Sequence, residues 1–291
     1  WYDIQISMKA MALRGVNWEG GVREKIPAFS RLMLPLIFRI LDHVDGQSLA
    51  IDNRGGIKAS EDIPEYSESV NAIAMKNVFV RYDEEDKPDA GHALSNINLK
   101  IPQGDSTVLL GRIGTGKSST LLLCTGLIPK SVGRMKGDVE IFGHNTKRAS
   151  LSLLGKLSRI VFPSAVQGLI GLTVEGELEF SLRSSELTPE ARQQSMGNAL
   201  EVVGLDSSFL PRLTLALSGG EMQRVALASA IISQPLLLTL DDVTVQLDPV
   251  GKREVISALQ GLLGGQITTI ITDPYVELLT DVGHRFISLE E

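Results

Sequence analysis

The stretch Gly111-Arg112-Ile113-Gly114-Thr115-Gly116-Lys117-Ser118-Ser119 fits the pattern G-x-x-x-x-G-K-[ST], and that pattern needs a strand before it and a helix after it. Both are present. Thr107-Val108-Leu109-Leu110 reads as a short buried strand, and Thr120-Leu121-Leu122-Leu123-Cys124 reads as the start of a buried helix. The glycines let the backbone curl until successive N–H groups point at phosphate oxygens, at the positive end of the helix. Lys117 is placed to reach β- and γ-phosphates, and Ser118 to offer a hydroxyl to Mg²⁺. A chain with this loop is expected to be α/β, with the loop at the end of a strand.

The pattern around the loop is strand-rich from Ala74 onward. Residues 74–82 read as a strand ending in Tyr82, and residues 92–101 hold another, in which Ile97, Leu99 and Ile101 alternate with Asn98 and Lys100. The single cysteine, Cys124, lies in the apolar run behind the loop and is expected in the core. A lone cysteine cannot form an internal disulfide, which fits a reducing compartment.

About a hundred positions after Lys117 stands Leu217-Ser218-Gly219-Gly220-Glu221-Met222-Gln223-Arg224, which resembles the signature of ATP-binding cassette (ABC) ATPases. Next, Pro235-Leu236-Leu237-Leu238-Thr239-Leu240-Asp241-Asp242 is an apolar strand ending in acids and resembles Walker B; Val245-Gln246-Leu247-Asp248 resembles the D-loop that follows it. The likeness covers roughly residues 73–290. It implies a P-loop NTPase fold with a helical subdomain, ATP and Mg²⁺ as ligands, and a head-to-tail dimer. In such a dimer Leu217, Ser218, Gly219, Gly220 and Glu221 face ATP on the partner's P-loop. It also implies that Asp241 holds Mg²⁺ through its water shell and that Tyr82 stacks on adenine, a contact of about 1–3 kcal/mol in comparable base-stacking contexts.

Three positions depart from the family pattern. The catalytic Glu after Walker B is here Asp242, one methylene shorter, and positioning dominates phosphoryl transfer. The switch His after the late strand Gln266–Thr272 is replaced by Asp273. An anion there repels a γ-phosphate, by about 4 kcal/mol per charge pair at ~4 Å and an effective dielectric of ~20, so Asp273 is expected to point away. The Q-loop Gln expected after Ile160-Val161-Phe162 is Pro163, with Gln167 four residues on. All three changes fall on groups that serve this chain's own P-loop, while the signature is intact. The expectation is a degenerate site paired with a competent one.

Residues 1–58 differ in character from the rest. Leu13-Arg14-Gly15 and Asn53-Arg54-Gly55 end two short helical stretches on either side of a longer apolar one. The pattern resembles the coupling region of the transmembrane subunit of energy-coupling factor (ECF) transporters, whose X-Arg-X motifs touch the ATPases; Arg14 and Arg54 are the matching coupling residues. Leu172-Thr173-Val174-Glu175 with Glu177 resembles the Thr-Val-Glu-Glu segment of ECF-type ATPases. The implied layout is a helical coupling segment at 1–58, a polar linker at 59–73 and the cassette at 74–291.

A net charge of −7 argues against general nucleic-acid binding, and no run of 18 apolar residues is present to span a membrane. The chain opens on Trp1, which fits a fragment or a processed form. The resemblance implies the ATP-binding subunit of an importer for a vitamin or metal ion. It would lie on the cytoplasmic face of the membrane, with a second ATP-binding subunit, a transmembrane coupling subunit and a substrate-binding membrane subunit. Two alternatives stay open at this stage: a soluble ABC ATPase without a transport role, and a regulatory ATP-binding subunit with negligible hydrolysis.

Overall fold

The structure, a computed structural model, describes residues 71–82, 92–183, 185–245, 247–262, 267–280 and 282–289. The coupling segment expected at 1–58, with Arg14 and Arg54, lies outside them. The strands are β1 (Asn71–Arg81), β2 (Leu94–Pro102), β3 (Ser106–Leu110), β4 (Arg134–Ile141), β5 (His144–Asn145), β6 (Ser158–Val161), β7 (Leu237–Asp241), β8 (Thr268–Thr272) and β9 (Arg285–Ser288). The helices are α1 (Lys117–Cys124), α2 (Leu127–Lys130), α3 (Leu151–Leu157), α4 (Ala165–Gly168), α5 (Val174–Ser181), α6 (Pro189–Val202), α7 (Gly219–Ile231) and α8 (Pro249–Leu262).

The strands form an antiparallel sheet, β2-β1-β4-β5, and a parallel one, β6-β7-β8-β3-β9. The expected strands are present, with shifted ends. The first starts at Asn71, which pairs with Pro102 across the sheet, and Tyr82 falls just past its end. β7 stops at Asp241 and leaves Asp242 in the following turn.

The parallel strands are short apolar or β-branched runs, as expected where both faces are covered. Successive residues divide between two cores because strand side chains alternate faces. Val108, Leu238, Leu240 and Ile271 pack on one face with Leu178, Leu200 and Val225 of α5, α6 and α7. Leu109, Leu237 and Ile270 pack on the other with Leu121, Leu123 and Cys124 of α1 and with Ile73 and Val139 of the antiparallel sheet. Fully burying one such side chain stabilises by about 1.5–3 kcal/mol. The C-terminal ends of β3, β7 and β8, which carry the site, are therefore fixed from both faces. Cys124 is fully buried, and desolvation raises its thiol pKa far above the usual range, so it is a core residue. Among the described residues no helix is long and apolar enough to cross a membrane.

Candidate functional site

The loop runs from the end of β3 into α1. Gly114 and Gly116 have φ of 90° and 89°, in the left-handed region that favours glycine. Gly116 is doubly constrained, because a Cβ there would collide with Leu94 and would lie 2.7 Å from the Ala93 carbonyl oxygen. Thr115 folds back on Arg112, its Oγ1 donating to that carbonyl at 2.9 Å. Lys117 Nζ donates to the carbonyls of Gly111 at 2.7 Å and Arg112 at 3.0 Å, so its ammonium lies against the loop. Ile113 projects fully into solvent.

Three neighbours converge on the first turn of α1. Ser118 Oγ donates to Asp241 Oδ1 at 3.0 Å, which joins the loop to the end of β7 across 123 positions of sequence. The same oxygen accepts from Thr272 Oγ1 at 2.9 Å, so the end of β8 joins too. Tyr82 OH and Ser119 Oγ are 3.0 Å apart. Burial raises the Asp241 carboxyl above the usual carboxylate range, opposed by the hydroxyls of Ser118 and Thr272. A serine hydroxyl beside an aspartate supplies hard oxygen donors of the kind Mg²⁺ takes alongside phosphate oxygens and water. Among the described residues no group of three or more His, Cys, Asp or Glu could hold a metal by itself. These residues therefore fit a nucleotide-borne Mg²⁺ rather than an all-protein cage.

Asp242 adopts φ 46°, a left-handed conformation in which Asp is enriched over longer side chains. Its N–H donates to the Thr272 carbonyl at 2.9 Å, and its Oδ1 is enclosed with no hydrogen-bond partner among the described residues. Asp273 is 4% exposed. Its Oδ2 accepts from Thr244 Oγ1 at 2.6 Å and from Thr244 N at 3.3 Å, and its Oδ1 accepts from Tyr275 N at 2.9 Å. Burial raises its pKa, against the pull of the Thr244 hydroxyl. At the end of β6 the Phe162 carbonyl accepts from Gln223 Nε2 of α7 at 2.9 Å; Pro163 follows it, and Gln167 lies on α4.

The signature forms the start of α7. Ser218 is its N-cap: Ser218 Oγ accepts from Glu221 N at 3.3 Å, and Glu221 Oε2 accepts from Ser218 N at 2.7 Å. This capping box leaves Ser218 and Gly219 exposed, while Leu217 anchors the chain in the core. The Ser218 backbone N–H holds the Glu221 carboxyl below its usual pKa. Beyond the cap, Glu221 lies 3.7 Å from Arg212, Gln223 reaches the Phe162 carbonyl and Arg224 donates to the Gly204 carbonyl at 3.2 Å. The bonds of the loop run to Tyr82 and Asp241.

One polar group carries more of the local structure than its motif indicates. Glu177 is 3% exposed; its Oε2 accepts from Ile170 N and Gly171 N at 2.7 Å each, and its Oε1 accepts from Ser229 Oγ of α7 at 2.8 Å. It ties the loop before α5 to the signature helix. Thr173 caps α5, its side chain accepting from Gly176 N.

Residues 94–245 match the family of ABC transporters. The energy-coupling factor transporter ATP-binding protein EcfA1 of Streptococcus mutans is 32% identical over 201 residues, 69% of each chain. Among solved structures, cbiO1 from Clostridium perfringens, part of the ABC transporter complex cbiONQ, is 25% identical with a TM-score of 0.61. It spans 72% of this chain and 81% of its own. The dimeric structure of MJ0796, a bacterial ABC transporter cassette, is 26% identical with a TM-score of 0.62, over 74% of this chain and 93% of that one. With the loop, the Walker B strand and the signature all in place, the chain belongs to the ABC transporter family and is one of its ATP-binding ATPase domains.

Proposed function

We propose that the chain is the ATP-binding subunit of an ECF-type importer that couples MgATP to uptake of a vitamin or a metal ion. It would work at the cytoplasmic face of a membrane, beside a transmembrane coupling subunit and a substrate-binding membrane subunit. In this reading Gly111 to Ser119 and Tyr82 hold the nucleotide, Ser118 and Asp241 hold its Mg²⁺, and Leu217 to Glu221 complete the site of a partner cassette. The ECF assignment draws support from the EcfA1 relative and from cbiO1, described as part of a transporter complex. The dimer draws support from the dimeric cassette. Residues 1–58 are the coupling segment and 59–73 the linker in this scheme.

The chain's own site turns ATP over slowly in this reading. The observation that carries this is Asp242, whose Oδ1 is enclosed by protein instead of lying free to orient water. Pro163 and Asp273 add to it. The partner is accordingly a second cassette with Glu and His at these positions. A steady-state assay tests the arrangement. The purified chain alone should hydrolyse little ATP, and adding the partner should raise the rate by about tenfold or more, the equivalent of ~1.4 kcal/mol in the barrier. Full activity of the chain alone, unchanged when the partner is added, would count against the pairing.

The coupling role has its own test. Changing both Arg14 and Arg54 to Glu should abolish transport and leave MgATP affinity unchanged, because a charge reversal repels an acidic groove where the arginines would pair. A double variant that assembles and transports normally would remove the coupling-segment reading.

A further inference from the structure

We propose that Asp273 is a positioning residue for the signature helix, acting through the turn that follows β7. Its two carboxylate oxygens take the hydroxyl and the N–H of Thr244 and the N–H of Tyr275. The Thr244 carbonyl in turn accepts from Leu247 N at 3.1 Å. Asp248 Oδ1 accepts from Gly251 N at 2.7 Å and thereby sets the first turn of α8. Leu247 Cδ2 and Gly251 Cα both lie 4.0 Å from the point where a Cβ on Gly220 would stand, so this turn backs the second glycine of the signature. A second clasp closes the same region: Lys252 Nζ of α8 sits 3.4 Å from the centre of the Tyr275 ring. Contacts thus run from the end of β8, through Thr244 and Leu247, to Gly220.

The chemistry suits holding protein, not phosphate. A carboxylate only accepts hydrogen bonds, and Asp273 meets three donors from protein. A γ-phosphate is also an acceptor and offers it nothing. The residue that departs from the family pattern beside this chain's own P-loop is thereby assigned to the half of the molecule that serves the partner. The turnover arm of the test below rests on that reading of the signature; the exchange arm does not.

The test uses the full chain with Asp273→Ala, Asp273→Asn and Thr244→Val. Hydrogen exchange at the amides of Thr244 and Leu247 should accelerate by about tenfold or more in Asp273→Ala, with Val108 and Leu109 in β3 unchanged, which separates local release from global destabilisation. Asp273→Asn keeps one acceptor and should restore part of the protection. In the chain assembled with its partner cassette, kcat should fall by about fivefold or more with KM within about twofold, and adding Thr244→Val to Asp273→Ala should cost nothing further. Titrations with ATP and with ADP should give an affinity ratio within about twofold of wild type for every variant. The inference is overturned if Asp273→Asn raises the ATP-over-ADP ratio by about tenfold while exchange at Thr244 and Leu247 is unchanged, since the charge would then face the γ-phosphate. A chain that binds neither nucleotide refutes the nucleotide-site reading, and the exchange result then decides this inference alone.

Discussion

Replacing Ser218 by arginine should abolish ATP turnover in the assembled pair of cassettes, while Asp242→Asn should leave it within about threefold of wild type. The sequence already sets the two positions apart, Ser218 in an intact signature and Asp242 at a departure from the family pattern, and the structure adds their surroundings. Ser218 is exposed at the N-terminus of α7, where free amides and the helix dipole present an anion site. In the proposed arrangement an arginine there would fill the space for the partner's γ-phosphate, and it removes the oxygen that caps Glu221 N. The loss in kcat should be about 100-fold or more, or ~2.7 kcal/mol. Loss of the cap alone costs about 0.5–2 kcal/mol of stability. Thermal unfolding run beside the assay therefore distinguishes a blocked site from a melted helix. Asp242, with its enclosed Oδ1, has little left to lose in becoming an amide. The opposite ranking, with Asp242→Asn inactive and Ser218→Arg tolerated, would place hydrolysis at this chain's own P-loop.

Lys117→Ala should lower MgATP affinity by about 100-fold or more in a direct titration. The ammonium already lies at the loop, hydrogen-bonded to the Gly111 and Arg112 carbonyls at 2.7 and 3.0 Å. Charge-assisted hydrogen bonds contribute about 1.5–3 kcal/mol each, so losing contacts to two phosphate groups is enough for an effect of that size. The fold should survive, since the side chain's hydrogen bonds go to backbone carbonyls of the loop. Unchanged ATP affinity would remove the P-loop assignment.

The parts of this site that were legible from the sequence are those where one short run dictates its own geometry. The loop's glycines, Lys117 and Ser118 define their turn locally, and Ser218 with Glu221 three residues on spells a capping box. The apolar run ending at Asp241 could only be a buried strand, and the chemistry of its last residue followed. What stayed hidden depends on contacts between distant residues. Nothing near Asp273 indicates that its partner is Thr244, 29 positions earlier. The left-handed backbone of Asp242 follows from how the turn after β7 hangs on Thr272, not from the Asp-Asp pair itself. Glu177 reads as part of a family-like segment, but nothing in that segment indicates that its carboxylate is buried with Ile170, Gly171 and Ser229 as donors. β1 starts at Asn71 rather than Ala74 because pairing with Pro102 and Ile101 across the sheet extends the strand, a contact no local pattern displays.

In the proposed arrangement two unequal ATP sites form when this chain meets its partner. A single-turnover measurement on the assembled pair, loaded with MgATP at both sites and quenched over time, addresses it directly. One ATP per pair should be hydrolysed quickly and a second retained, with rate constants separated by about tenfold or more. Two ATP molecules hydrolysed per pair with one rate constant would contradict it.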